Sequence, residues 1–129
     1  MTLKILIVED HEDSAQVTAT LLRKAGHQVI VAGDCCSALA LASSERPSIA
    51  MCDIGLPDGD GCDLLRELKQ LYPITGIAVS GNGMPADQQR YLEAGFSEIV
   101  VKPCTFDKLK EAIARAGLFA ARYTPLGSK

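Results

Sequence analysis

The chain has 129 residues, 47% of them hydrophobic and 22% charged, with a net charge of −3 at pH 7. That is one domain's length, sufficient for a real core, in ordinary globular composition, and with the wrong sign for a nucleic-acid-binding surface. No apolar run approaches the ~18 residues of a membrane-spanning helix, and the opening LKILIVED ends in acid without a cleavage site; the expectation is a cytoplasmic domain with no membrane contact.

The first apolar run, LKILIV (3–8), is short and rich in Ile and reads as a strand; it runs straight into Glu9, Asp10 and His11. His11 reads as an exposed loop residue. A helical stripe of Val17, Leu21, Leu22 and Ala25 follows, with Asp13 as its expected N-cap and Gly26 as its stop. His27 then reads as exposed at the helix end. A second run, QVIVA (28–32), precedes Asp34, an N-cap for the stripe Cys35, Ala38, Leu39 and Ala42.

The third run, SIAMC (48–52), ends on Asp53, followed by Gly55, Pro57, Asp60 and Gly61 in an acidic, constrained turn. Asp60 caps a stripe of Leu64, Leu65, Leu68 and Leu71. The fourth run, GIAVS (76–80), ends on Ser80 within VSGNG. The helix expected near 85–94 has the weakest stripe and is expected to be the most mobile, with Gly95 as its stop. The fifth run, SEIVV (97–101), leads to Lys102 and Pro103. Thr105 caps the last stripe, Leu109, Ala112, Ile113 and Ala116. Tyr91 and Tyr123 read as packing or partner-surface residues with no assigned role.

Five cysteines, at 35, 36, 52, 62 and 104, have an odd count and no C-x-x-C spacing, which fits neither a disulfide framework nor a zinc site. Cys52 reads as a small buried hydrophobe. Nothing basic flanks Cys35 and Cys36 to stabilise a thiolate.

Five near-continuous apolar runs alternating with five helices imply an α/β fold: a parallel sheet with right-handed crossovers and helices on both faces. Ligands of such sheets bind beyond the carboxyl ends of the strands. The residues at those ends are Glu9 and Asp10, Asp53, Ser80, and Lys102. Three carboxylates brought together repel one another and need a cation to ionise together; oxygen ligands with several waters suit magnesium. A lysine and a hydroxyl opposite suit an incoming phosphoryl group. An aspartate beside a metal can serve as nucleophile and carry that group.

On VEDH, CDIGLPDGDG, AVSGNG and VVKPCT, in that order, the chain resembles a receiver domain (REC, CheY-like) of the two-component response-regulator family. The resemblance covers residues 3–117 of a single domain spanning 1–129. It implies a doubly wound (βα)5 flavodoxin-like sandwich with strand order 2-1-3-4-5. It implies Asp53 as phosphoacceptor, Asp10 and Asp53 as direct ligands of Mg2+ (or Mn2+ in its place), the backbone carbonyl of Gly55 as a further ligand, and Glu9 acting through water. It implies that Ser80 turns inward to the phosphoryl oxygens, that Lys102 pairs with the phosphate, and that the Lys102–Pro103 bond is cis. Pro57 and Gly61 match the family's constrained loop. Gly55 and Asn82 occupy positions that influence hydrolysis in the family.

The implied partners are a histidine kinase or a histidine phosphotransfer protein. The face around the fourth helix, fifth strand and fifth helix is where partners or a second copy of the chain (a homodimer) are expected to dock. The chain departs from the family at Ile99, where receivers usually carry the Tyr or Phe of their switch. The 12 residues from 118 to 129 are expected to be a tail or clipped linker, too few for an output domain of roughly 50 residues or more. The expectation is therefore a single-domain regulator or a receiver cut from a longer protein such as a membrane-anchored hybrid kinase.

Two other readings compete. A receiver-like interaction module would act without phosphorylation; Ile99 favours it and the complete acid set with Lys102 opposes it. An aspartate-nucleophile phosphatase usually carries a second Asp two residues after its nucleophile, and here that position is Gly55. The chain is therefore expected to promote only its own phosphotransfer and hydrolysis, and not to be an enzyme acting on other molecules.

Overall fold

The computed structural model describes residues 2–81 and 85–122; the expectations for Asn82 and Tyr123 lie outside them. Among the described residues the elements run β1 (Lys4–Val8), α1 (Glu12–Lys24), β2 (Gln28–Ala32), α2 (Cys35–Glu45), β3 (Ile49–Asp53), β4 (Gly55–Leu56), β5 (Gly59–Asp60), α3 (Gly61–Leu71), β6 (Thr75–Ser80), α4 (Pro85–Ala94), β7 (Phe96–Val101) and α5 (Phe106–Arg122). Each of the five expected strands lies within one residue of its apolar run. They pair in parallel in the order β2-β1-β3-β6-β7, which is 2-1-3-4-5 once the short β4–β5 hairpin is set aside. That hairpin, with Gly55 opposite Asp60 and Leu56 opposite Gly59, was not expected from the sequence.

Alternation along the strands sorts the core into two layers, because successive side chains leave opposite faces of a sheet. Leu6, Val8, Ala50, Cys52 and Ala78 face α2, α3 and α4. Ile5, Ile7, Ile49, Met51, Ile77 and Val100 face α1 and α5. Burial on both faces is why the runs are apolar without a polar alternate.

Two helices depart from the expected stripes. In α1 the buried residues are Ala15, Ala19 and Leu22, while Val17 is 60% exposed. Small residues let the helix lie close to the sheet, so the alanines win that face over the larger Val17. Leu71, in the last turn of α3, is 58% exposed.

The caps at Asp34, Asp60 and Thr105 are as expected, and Gly26 and Gly95 end their helices at positive φ. Asp13 lies inside α1. The cap there is His11, whose Nδ1 accepts from the Ser14 N–H at 3.3 Å. His27 is half-buried rather than exposed, and its Nδ1 accepts from the Leu3 N–H at 3.2 Å. Helix α5 runs on to Arg122, past the expected end of the core at 117.

Gly76, in β6, sets how closely α3 approaches the sheet. A Cβ there would lie 2.6 and 2.7 Å from the Leu65 methyls and 2.9 Å from Phe96, and Leu65 is fully buried. Gly76→Ala is expected to cost about 1–3 kcal/mol by overpacking, read from urea unfolding; an unchanged midpoint would show that α3 yields freely.

Candidate functional site

The site forms where β1, β3 and β7 end. Hydrogen-bonded pairing carries each strand to the same edge: the Glu9 N–H donates to the Ala32 carbonyl at 3.0 Å, and the Lys102 N–H to the Ser80 carbonyl at 2.8 Å. Glu9 is buried, Asp53 half-buried and Asp10 exposed. One carboxylate oxygen from each lies within 4.8 Å of the others. Lys102 Nζ sits 3.3 Å from both oxygens of Asp53 and 3.5 Å from Glu9 Oε1. The Lys102–Pro103 peptide is cis, as expected. Glu9, Asp53 and Lys102 thus meet over one face of the sheet, beside a cavity of about 540 Å³ between α1 and α5.

The electrostatics follow from that crowding. Burial, then the neighbouring Glu9 carboxylate, raises Asp53 to about 7, against the opposing pull of Lys102. Lys102 loses some basicity to burial, but the negative charges of Asp53 and Glu9 outweigh it and hold the ammonium above its ordinary value. Three carboxylates against one ammonium is a hard, oxygen-rich donor set with excess negative charge, which fits a magnesium-sized divalent cation. Glu9, Asp10 and Asp53 are the side chains that would hold it.

The loop after Asp53 is held at both ends. At Gly61 a Cβ would collide with the Asp53 carbonyl oxygen, and the Gly61 N–H donates to the Ile54 carbonyl at 2.7 Å. Glycine there lets α3 start directly against the strand that delivers Asp53. At Gly55 a Cβ would meet nothing within 4 Å, so its place beside Asp53 is open. Asp58, at the hairpin's tip, accepts from the N–H groups of Cys35 at 2.8 Å and Cys36 at 3.1 Å. It satisfies two donors that the start of α2 would otherwise leave free. Asp60 caps α3 through the Cys62 N–H at 2.7 Å and pairs with Arg90 of α4 at 3.1 Å. The same surroundings make the adjacent thiol unreactive: burial first, then Asp58, pushes Cys35 up to about 11.

Ser80 is placed differently from the acids. Its hydroxyl shares a buried 2.9 Å hydrogen bond with Tyr91 of α4. Ile99 packs half-buried against the same core layer as Tyr91. Sequence reading missed Asp58, Arg90 and Tyr91. The acid-glycine turn signalled a constrained loop, but nothing local announced partners 23, 30 and 11 residues away.

Because folding raises the Asp53 pKa above its unfolded value near 3.8, the native state keeps a proton that the unfolded chain releases. Asp53's contribution to stability is therefore lost as pH rises from about 4 to about 7. In chelator, Asp53→Asn is expected to match the wild type near pH 4 and exceed it by about 1–3 kcal/mol at pH 8. Magnesium should close that gap by stabilising the wild type. Parallel stability–pH curves for the two proteins would overturn this account of the crowding.

Comparison with known proteins identifies the family. The family model for the response regulator receiver domain matches residues 5–114. The transcriptional regulatory protein YxdJ of Bacillus subtilis is 35% identical over 92% of this chain and 54% of its own length. The sensor histidine kinase RcsC of Escherichia coli is 32% identical over 92% of this chain but only 12% of its own; the chain spans about half or less of these relatives. A CheY-like response regulator receiver domain from Methanospirillum hungatei superposes with a TM-score of 0.88 at 28% identity, covering 96% of this chain and all of that one. NtrX from Brucella abortus gives 0.87 at 30% identity, covering 94% and 28%. The chain belongs to the response regulator receiver domain family.

Proposed function

We propose that Asp53 accepts a phosphoryl group, in a magnesium-dependent transfer from a histidine kinase or histidine phosphotransfer protein, and that this switches a partner-binding surface. The observation that carries the reading is the Lys102 ammonium 3.3 Å from both Asp53 oxygens, with Glu9 and Asp10 alongside. An Asp53 oxygen attacks phosphorus as the phosphorus–nitrogen bond of the donor phosphoimidazole breaks and the ring nitrogen keeps that electron pair. A mixed carboxylic–phosphoric anhydride results. Lys102 follows the charge onto the phosphoryl oxygens, where a preorganised ammonium acts without reorganising. Magnesium, when bound, would neutralise the acids and the phosphoryl oxygens. Water attack later releases inorganic phosphate and restores the carboxylate.

Asp10 and Asp53 as direct ligands, Gly55 through its carbonyl and Glu9 through water complete this reading, with manganese as an alternative ion. The chain then catalyses only its own modification. With Gly55 two residues after Asp53, it lacks the second carboxylate a phosphatase would use there. Among the described residues no helix is long and apolar enough to cross a membrane, consistent with a cytoplasmic role alone or as part of a membrane-anchored kinase. The face of α4, β7 and α5 is the proposed docking or dimer surface; Leu92 and Val101 are exposed there.

Incubation with magnesium and a small acyl-phosphate donor is expected to add one phosphoryl mass to the wild type. The gain should vanish in chelator and in Asp53→Asn, and slow by about tenfold or more in Lys102→Ala. An equal gain in Asp53→Asn would move the acceptor elsewhere. No gain in any protein, together with no beryllium fluoride binding, would favour a module that works without phosphorylation.

A further inference from the structure

The alternation that sorts the core also sorts the site. Asp53 follows Cys52, which faces α2–α4, and so lies over the α1–α5 face with Glu9 and Lys102. Ser80 lies two residues after Ala78, which shares the α2–α4 face, and its hydroxyl is bonded to Tyr91 on that side. To serve a phosphoryl group on Asp53, Ser80 must turn from one face of the sheet towards the other. Its backbone is held meanwhile, because its carbonyl accepts from Lys102 N–H. The motion required is therefore a side-chain rotation, and it breaks the bond to Tyr91.

Breaking that bond has a cost specific to this position. Tyr91 is 2% exposed, and among the described residues Ser80 is the hydrogen-bond partner of its hydroxyl. A buried phenol that loses its partner must move or find water. Tyr91 is also not isolated within α4. The Arg90 guanidinium lies 5.3 Å from the centre of its ring and pairs with Asp60, the cap of α3. A displacement of Tyr91 is thus one of α4 relative to the loop that follows Asp53.

We propose that Tyr91 is a positioning residue for the phosphotransfer site: in the resting chain its hydroxyl holds Ser80 on the α4 face, and Ser80's release from it couples Asp53 to α4. It supplies from the helix the aromatic coupling that Ile99 cannot supply from β7. This inference rests on the reading of Asp53 as phosphoacceptor.

The test uses the full chain, magnesium and beryllium fluoride, with binding followed by titration. Tyr91→Phe removes only the hydroxyl, and Ser80 no longer has that bond to give up. Binding is expected to tighten by about 2- to 10-fold, the range of one net hydrogen bond. In a Ser80→Ala background the same substitution should change nothing, since the bond it removes is already absent. Unchanged or weaker binding in Tyr91→Phe, or an equal gain in the Ser80→Ala background, overturns the proposal while leaving Asp53's role intact. Failure of the wild type to bind overturns both. A second readout needs no Tyr91 variant: the Tyr91 ring resonances should shift when beryllium fluoride binds to the wild type and hold still in Ser80→Ala. Resonances that hold still in the wild type, despite binding, also overturn it.

Discussion

Three carboxylates share the carboxyl edge of one sheet with a single ammonium, and much else in the site follows from that imbalance. One carboxylate oxygen from each of Glu9, Asp10 and Asp53 lies within 4.8 Å of the others, where like charges repel. Folding carries that repulsion, because strand pairing and two apolar layers fix β1 and β3 side by side. The result is a domain whose acids are crowded at the carboxyl edge of its sheet. Burial and Glu9 keep Asp53 high, and Lys102 partly offsets them. A divalent cation removes the conflict, and so does anything that takes charge off Asp53. The arrangement of the acids and Lys102 is by itself electrostatically poor.

The loop after Asp53 carries that condition outward. A two-residue hairpin has little stability of its own; this one is fixed by its carboxylates. Asp58 occupies the start of α2 and Asp60 the start of α3, each satisfying helix N–H groups. Asp60 also reaches α4 through Arg90. The pair is exposed enough that its own energy is small. Its value is geometric: it ties α4 to the loop that follows Asp53.

Much of this was legible in the sequence, and what was not has physical causes. The five strands stood out because burial on both faces removes polar alternates, so β1, β2, β3, β6 and β7 read as unbroken apolar runs. The acids and Lys102 were found because each directly follows such a run, where topology alone brings them together. The stripe of α1 was misread because hydrophobicity points to Val17, whereas close approach to the sheet favours Ala15 and Ala19. His11 was overlooked as a cap because Asp13 is the commoner residue in that role. The hairpin has too few residues to show a period. Tyr91 fell on the buried side of a weak helix, where an aromatic ring reads as packing; its hydroxyl's partner lies on another element.

That last omission bears on how a receiver fold can lose one coupling element and keep another. An aromatic on β7 would report on Ser80 from a strand that is itself held in the sheet by β6. Ile99 can only fill space there. An aromatic on α4 differs in kind, because the helix touches the sheet through few residues, with Tyr91 and Ala94 as its buried ones. The bond between Ser80 and Tyr91 ties α4 to the end of β6, beside the packing of Tyr91 and Ala94 in the core. On the proposed rotation of Ser80 to Asp53's face, the bond to Tyr91 would be lost on one side while the Arg90–Asp60 pair remained on the other. The helix would then pivot rather than detach. A pivot would change the angle at which Leu92, exposed on α4, is presented. The carboxylate site and α4 thus lie over opposite faces of the sheet, and Ser80, at the end of β6, stands at the edge between them.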